Sequence, residues 1–245
     1  MAKETEIAWT DSTFNPWWGC TKVGPGCDNC YAEALDKRTG GEHWGIGSSP
    51  RSMSPENWKK PVRWNKAAAL SDIRRKVFCA SMSDVFDKNA PQGQRERLWK
   101  LIQDTPMLEW QLLTKRAPNI KKYLPQNWDS GYRNVWLGVT VENKKHGLPR
   151  IDHLRKIPAK IRFLSIEPLL EDLGNIDLTG IHWVIVGGES GHNARPMNLK
   201  WVENIHKQCL EQNIPFFFKQ WGGNRDKGGC LLHGNEIKQW PHATN

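Results

Sequence analysis

Three cysteines lie within eleven residues near the N-terminus, in the stretch NPWWGCTKVGPGCDNCYAE. They are Cys20, Cys27 and Cys30, and the other three cysteines of the chain are scattered along the rest of the sequence. A closed structural zinc site and a fully ligated iron–sulfur cluster each need four protein ligands. Three thiolates would instead hold three irons of a 4Fe–4S cube and leave the fourth iron open, which is the arrangement of a catalytic centre.

The surroundings of these cysteines favour reduced thiols that bind a metal. The charged N-terminus, MAKETEIAWTD, contains no apolar signal region, and no apolar run approaches the length needed to cross a bilayer. We therefore expect a cytoplasmic protein without membrane contacts, in which close cysteines indicate metal or redox chemistry before disulfides. Residues 31–38, directly after Cys30, form a predicted helix whose N-terminal dipole would stabilise negative sulfur.

Seven short apolar segments, rich in β-branched and aromatic residues, supply the strands that must position such a site. Their nearly continuous apolar character is typical of parallel strands buried on both faces. Amphipathic segments such as residues 94–104 and 200–213 lie between them and predict helices. The alternation predicts an α/β fold, a (β/α) barrel that is complete or partial, with the site at the C-terminal ends of its strands. The predicted strands are residues 7–16, 77–82, 110–114, 135–141, 161–166, 181–188 and 214–218.

The length of the chain bounds its domain organisation. Since α/β barrels of 245 residues are commonly undivided, we predict a single domain over residues 1–245. The stretch 38–66 is rich in Gly, Pro, Ser and Trp and is interpreted as an insertion or lid.

Polar or charged residues follow six of the predicted strands in succession. Any one of them alone would be an ordinary loop end or helix N-cap. Because chemistry in α/β barrels lies in the loops after the strands, the whole set predicts one rim built around a polar ligand. The candidates are Ser81, Asp84, Thr114, Lys115, Thr140, Glu142, Ser165, Glu167, Glu189 and Lys219.

These residues also carry a resemblance to known families. The chain resembles the radical S-adenosylmethionine superfamily and, more closely, the phage- and mobile-element-borne "three-Cys-motif" family, whose members are left without an assigned reaction. The closer resemblance rests on NPWWGC, GCDNCYAE, SMSDVF, LLTKR, GVTVEN, SIEPLL, VGGESG, ARPM and FKQWG. The superfamily's usual spacing is C-x3-C-x2-C, whereas this chain has C-x6-C-x2-C, so the second half of the motif is kept and the first half is longer.

The resemblance implies two cofactors, a 4Fe–4S cluster and S-adenosylmethionine (AdoMet), and a 5′-deoxyadenosyl radical acting on an unknown substrate. It also implies an electron donor, and it leaves room for a partner protein encoded nearby. Lys115, Arg116 or Arg195 could pair with the cofactor carboxylate or a substrate phosphate. The glycine-rich stretch ending in Glu189 follows the sixth counted strand rather than the second, so Ser81 and Asp84 are the preferred candidates for the methionyl end.

Two other classes of function stay open. One is a zinc-binding protein with a Cys3His site completed by His43, thirteen residues beyond Cys30. The other is a nucleic-acid-binding protein with a structural metal site, since the chain carries a net charge of +9 and 14 tryptophans. In that case Trp44, Trp58 and Trp64 would offer faces on which bases stack.

Overall fold

The computed structural model describes residues 5–224 and 226–241. Its main sheet has seven strands in the order β1-β4-β5-β6-β7-β8-β9. The order of these strands across the sheet is therefore the same as their order in the sequence. The pairs β1–β4, β4–β5, β7–β8 and β8–β9 are parallel. The strands are β1 (Ser12–Phe14), β4 (Arg75–Cys79), β5 (Leu108–Thr114), β6 (Val135–Thr140), β7 (Ile161–Ile166), β8 (Trp183–Gly187) and β9 (Phe216–Gln220).

Helices and two small antiparallel pairs complete the described fold. Strand β2 (Trp17–Trp18) pairs with β3 (Arg51–Ser52), and β10 (Leu231–Leu232) pairs with β11 (Asn235–Glu236). None of the helices among the described residues combines the length and the apolar character needed to cross a bilayer. The α-helices are α1 (Tyr31–Arg38), α2 (Pro55–Ser71), α3 (Gln94–Asp104), α4 (Ile120–Tyr123), α5 (Leu148–Arg155) and α6 (Leu199–Glu211).

The chain divides into two compact units, and the division falls inside β6. The first unit contains the described residues of Met1–Lys22, Ala32–Leu137 and Pro158–Lys160. The second contains the described residues of Val23–Tyr31, Gly138–Ile157 and Ile161–Asn245. Cys20 therefore belongs to the first unit, whereas Cys27 and Cys30 belong to the second.

The first unit is built around aromatic rings that cover β1, β4 and β5. Trp110 is fully buried, and its ring meets Phe14 edge-on at 5.6 Å between centroids. Trp58 of α2 also packs edge-on against Phe14, at 5.3 Å between ring centroids. Ser54 is the N-cap of helix α2, and its side chain accepts a hydrogen bond from the backbone nitrogen of Asn57. These contacts fix the strands whose ends carry the candidate residues of this unit.

The second unit has a core of large apolar side chains on β7, β8 and β9. Phe163, Trp183 and Phe217 are fully buried and lie ring against ring at about 6 Å. Gly138 faces this core, and a Cβ there would lie 2.4 Å from the ring of Phe163, so only glycine leaves room for it. The polar ends of the same strands are thereby held in fixed positions.

The predicted α/β class with a partial parallel barrel sheet is confirmed, and every predicted strand overlaps an observed one. The first strand is shorter than predicted, covering Ser12–Phe14 instead of residues 7–16. Helix α2 was not predicted: the stretch 38–66 contains β3 and about the first three turns of this helix. The interpretation of the stretch 38–66 as an insertion or lid stays a prediction, and so does the single-domain organisation.

Candidate functional site

A buried carboxylate, Asp84, joins the ends of β4 and β5 in the first unit. The Thr114 hydroxyl donates to both of its oxygens, at 2.8 and 2.9 Å. The backbone nitrogen of Lys115 donates at 3.2 Å, and the Arg116 Nη1 donates at 3.0 Å. The backbone nitrogen of Phe86 adds a further bond at 2.9 Å. The acceptor positions of Asp84 are therefore filled by its own neighbours.

Arg116 extends this network to the residue that follows Cys20. Its Nη2 contacts the Asp87 carboxylate at 2.8 Å and donates to the Thr21 hydroxyl at 2.8 Å and to the Thr21 carbonyl. The Thr21 nitrogen in turn donates to Asp87 at 3.2 Å. Burial opposes the charge on Arg116, but the carboxylates of Asp84 and Asp87 outweigh it and raise the pKa of the guanidinium.

The thiol of Cys20 is strongly held in its neutral form. Burial raises its pKa from an ordinary 9.0 to about 12, although the charge of Arg116 lowers it. The nearby carboxylates of Asp84 and Asp87 act in the same direction as burial. A metal bound to this sulfur would have to displace the proton, so binding would release a proton to solvent.

Hydroxyl groups lie in the loop after β4, in the same unit. Ser81 exchanges hydrogen bonds with the side chain of Asn15, at 3.0 and 3.3 Å. Ser83 lies beside Gly19, with which it forms an isolated bridge, and its hydroxyl oxygen is inaccessible and has no hydrogen-bond partner. This hydroxyl is thus a buried polar group left unsatisfied next to the residue before Cys20.

In the second unit, Glu142 forms a fully buried ion pair with Arg150. Arg150 Nη1 donates to one carboxylate oxygen at 2.5 Å and Nη2 to the other at 3.1 Å, which is a forked arrangement. The same Nη1 donates to the carbonyl of Thr140 at 2.8 Å. The loop before Cys27 packs closely against this pair: a Cβ on Gly26 would lie only 2.9 Å from Glu142 Cγ. The Glu142 side chain therefore packs directly against the backbone of the loop that carries Cys27.

Two further ion pairs lie at strand ends of the second unit. Lys219 of β9 donates to Glu167 at 2.5 Å, and both side chains are largely buried. Glu189 accepts from the backbone nitrogen and the Nε of Arg195, at 3.0 and 2.9 Å. Burial raises the pKa of Glu189, but the hydrogen bonds from Arg195 outweigh it, and the pKa is lowered overall. The backbone of Ser165, the remaining candidate, accepts from the Val141 nitrogen at 3.0 Å.

The predicted candidates thus fall into two groups. Within each unit they meet at the C-terminal ends of parallel strands, and most are joined by hydrogen bonds or ion pairs. Sequence reasoning missed four of their partners, Asn15, Asp87, Arg150 and Asn29, because their contacts join positions that are far apart or that only a loop or helix geometry brings together. The first unit holds Cys20, Ser81, Asp84, Thr114 and Lys115; the second holds Cys27, Cys30, Thr140, Glu142, Ser165, Glu167, Glu189, Arg195 and Lys219.

The donor set of the three cysteines fits an iron–sulfur cluster in its chemistry. All six cysteines are free thiols, and Cys20, Cys27 and Cys30 are half-buried rather than sealed in a core. Among the residues that the structure describes, no group of three or more His, Cys, Asp or Glu side chains is assembled around a common point for a metal. The His43 Nδ1 lies 2.8 Å from the buried Asp36 carboxylate, a contact that orients the ring and does not occupy the Nε2 that a zinc ligand would use.

These features define an α/β protein with a seven-stranded sheet whose strand ends carry buried charged networks. The chain belongs to the family described as Protein of unknown function (DUF5131), whose model matches residues 4–241. A solved structure of a spore photoproduct lyase variant, with bound AdoMet and dinucleoside spore photoproduct, is similar at 12% identity and a TM-score of 0.49. The similarity covers 82% of this chain, which spans 62% of that one. No curated protein matches the chain.

Proposed function

We propose that this protein is an iron–sulfur enzyme of the radical AdoMet type, acting on a substrate that its sequence does not name. The observation that carries the proposal is the set of three free, half-buried thiols within eleven residues, Cys20, Cys27 and Cys30, in a glycine-rich loop that leads into α1. A set of three ligands leaves one metal position for a small molecule, and a closed four-ligand site does not.

Cys20, Cys27 and Cys30 would hold the 4Fe–4S cluster. With one electron from an external donor, the bound group would supply reductive cleavage of AdoMet to methionine and a 5′-deoxyadenosyl radical that takes a hydrogen atom from the substrate. The chain's own part begins at Cys20, whose sulfur must lose its proton. Arg116, which lowers the pKa of that thiol, would balance the new negative charge.

The strand-end residues would divide between shaping the site and binding AdoMet. Asp84 and Glu142 accept all their hydrogen bonds from their own unit, so we assign them to holding the loops in position. Lys115 and the hydroxyl of Ser81 are the groups we assign to the methionyl carboxylate and ammonium. The other proposed contacts to AdoMet are Thr114, Thr140, Ser165, Glu167 and Lys219.

The metal is tested by anaerobic isolation and iron and sulfide analysis of single-cysteine variants. We expect brown protein with stoichiometric iron, and loss of the iron in Cys20→Ala, Cys27→Ala or Cys30→Ala. Cys230→Ala, which removes a half-buried thiol far along the sequence, is the matched control and should keep its iron. Colourless protein that contains stoichiometric zinc and no iron would overturn the proposal in favour of a zinc site.

The reaction is tested with AdoMet and dithionite under anaerobic conditions. We expect 5′-deoxyadenosine and methionine to form in equal amounts with the wild-type protein and not with Cys27→Ala. Iron-loaded protein that binds AdoMet but yields no 5′-deoxyadenosine under these conditions would contradict the radical mechanism.

A nucleic acid is the substrate class that one observation favours. Lys59, Lys60, Arg63 and Lys66 are all exposed on α2, where residues three or four positions apart share one face. Such a row suits a phosphate backbone. The stacking role expected of Trp58 and Trp64 is not available, since both rings are buried and Trp58 is only 4% exposed. Trp44 is half-buried and keeps its predicted role as a proposal.

A further inference from the structure

The two residues between Cys27 and Cys30 contact a distant loop of the same unit. Asn29 Nδ2 donates to Glu189 Oε2 at 2.9 Å and to the carbonyl of Asn193, also at 2.9 Å. The carboxylate of Asp28 lies 3.4 Å from Arg195 Nη1. A turn of four residues thus meets the loop that follows β8 through two successive side chains.

Arg195 holds the other end of this turn. Its Nη2 donates to the carbonyl of Pro25 at 2.8 Å, and Pro25 is the first residue of the short 3-10 helix that ends at Cys27. The same Nη2 donates to Glu189 Oε1, and the Nε and the backbone nitrogen donate to Oε2. One guanidinium therefore ties the Glu189 carboxylate to the backbone of the cysteine-bearing segment.

Glu189 is itself anchored by a close approach of two loops. A Cβ on Gly188 would lie 1.8 Å from the Trp221 carbonyl oxygen, and one on Gly222 would lie 2.5 Å from the Glu189 carbonyl oxygen. The Gly223 nitrogen donates to that same oxygen at 2.8 Å. The backbone at Glu189 has no room to shift toward the loop after β9, so its carboxylate is a fixed point for Asn29 and Arg195.

We propose that Glu189 and Arg195 are positioning residues that clasp the Cys27–Cys30 turn, and that they do not bind AdoMet. The Glu189 oxygens receive four donors from Asn29 and Arg195, which leaves little acceptor capacity for a ligand. The clasp sets the distance and direction of both thiols by holding the residues around them. Its importance for a cluster rests on the proposed function; its effect on the thiols themselves does not.

The test measures how fast iodoacetamide alkylates each cysteine in the metal-free, reduced full-length protein, by mass spectrometry of peptides. In Arg195→Ala, we expect Cys27 and Cys30 to react about tenfold faster or more, because the loss of one hydrogen bond to a charged group frees the turn by about that factor. Arg195→Lys should restore the slow rate only in part, because a single ammonium cannot also replace the Nε contact to Glu189 Oε2 and the Nη1 contact to Asp28. Glu189→Gln, which keeps an oxygen acceptor for Asn29, should give a smaller increase than Glu189→Ala.

Two controls separate the clasp from general loosening. Arg155→Ala removes an arginine of the same unit that also ties carboxylates to backbone carbonyls, at Asp177 and Thr179, and it should leave the two rates unchanged. Cys230 should react at its wild-type rate in every variant. A double-mutant cycle of Asn29→Ala with Glu189→Ala should be non-additive, since the two changes remove one shared contact.

The outcomes distinguish this inference from the proposed function. Unchanged rates at Cys27 and Cys30 in Arg195→Ala, or an equal rise at Cys230, would overturn the clasp. Faster alkylation in Arg195→Ala together with a wild-type protein that binds no iron would support the clasp and end the iron–sulfur proposal. If the wild-type protein does bind iron, Arg195→Ala should retain less of it per chain than Arg155→Ala.

Discussion

A single guanidinium, that of Arg116, holds the first unit's candidate site together. It contacts two buried carboxylates, Asp84 and Asp87, and the backbone and side chain of Thr21. Two negative charges and one positive charge remain in this buried group, next to the neutral thiol of Cys20. Burial is the main cause of the raised pKa of the Cys20 thiol and the two carboxylates add to it, whereas Arg116 lowers this pKa and is the group that would stabilise a thiolate.

Replacing Arg116 should therefore destabilise the protein and expose the loop at Cys20. In Arg116→Met, two buried carboxylates lose their partner, and we expect unfolding free energy to fall by about 3–5 kcal/mol. Urea denaturation measures this change. Lys115→Met removes a positive charge from the neighbouring position, and its cost should stay below about 1 kcal/mol because Lys115 is only half-buried. Equal losses in the two variants would contradict the role of Arg116.

The types of residue at the strand ends could be predicted from the sequence, but their pairing could not. Thr114, Thr140 and Ser165 lie at or next to the last positions of their strands, as the apolar pattern indicated. The pairing of Glu142 with Arg150 depends on the geometry of a helix that follows a loop. The contact of Asn29 with Glu189 joins positions 160 residues apart. No local pattern specifies such contacts.

At the level of elements, α2 is the feature that the composition concealed. Its sequence carries Pro55 at the first turn and Pro61 inside the helix, and glycines and serines precede it. Those residues are typical of loops, so the segment was interpreted as an insertion. Burial of Trp58, Pro61 and Trp64 on one face shows what outweighs the helix-breaking proline. The helix is held by tertiary packing against the first unit.

Removing the ring of Trp58 should cost stability and leave ligand binding unchanged. The ring packs against Phe14 and lies under the guanidinium of Arg97 at 4.1 Å, so Trp58→Ala would leave a large cavity. We expect a loss of about 3–5 kcal/mol in thermal or urea denaturation. Val62→Ala, an exposed position on the same helix, should change stability little. Weaker binding of a single-stranded oligonucleotide without a loss of stability would contradict the buried role.

The loops after β8 and β9 should tolerate no side chain where they meet. Gly188→Ala would place a methyl group against the Trp221 carbonyl, and the loops would have to separate. We expect a loss of about 3 kcal/mol or more, seen as a lowered melting temperature. Faster alkylation of Cys27 and Cys30 should accompany it, because Glu189 would move. Asn193→Ala, a change at an exposed position of the same loop, is the control. If its melting temperature were as low as that of Gly188→Ala, the loop would be sensitive to any substitution and not to the close contact at Gly188.

At the scale of the whole molecule, the effect of the net charge of +9 on nucleic-acid binding depends on where the exposed lysines and arginines lie. We expect the variant with Lys60→Glu and Arg63→Glu together to bind a short single-stranded oligonucleotide more weakly and with a salt dependence reduced by about two phosphate contacts. Fluorescence anisotropy over a salt series measures both quantities. Lys200→Glu, on α6 of the second unit, should leave them unchanged. Equal weakening by Lys200→Glu would show attraction by net charge alone.

The clasp on the Cys27–Cys30 turn also sets an order of events during synthesis of the chain. Asn29 leaves the ribosome early, but its partner Glu189 is 160 residues further along the chain. Likewise, the carbonyl of Pro25 is bound by Arg195, which is synthesised 170 residues later. At about 5–20 residues per second, roughly 8–34 seconds separate the emergence of these thiols from that of the residues that orient them. During that interval the two sulfurs are exposed to stray metals and oxidants. Under the proposed function, loading with metal would therefore follow the synthesis of Glu189 and Arg195, which lie in the last quarter of the chain.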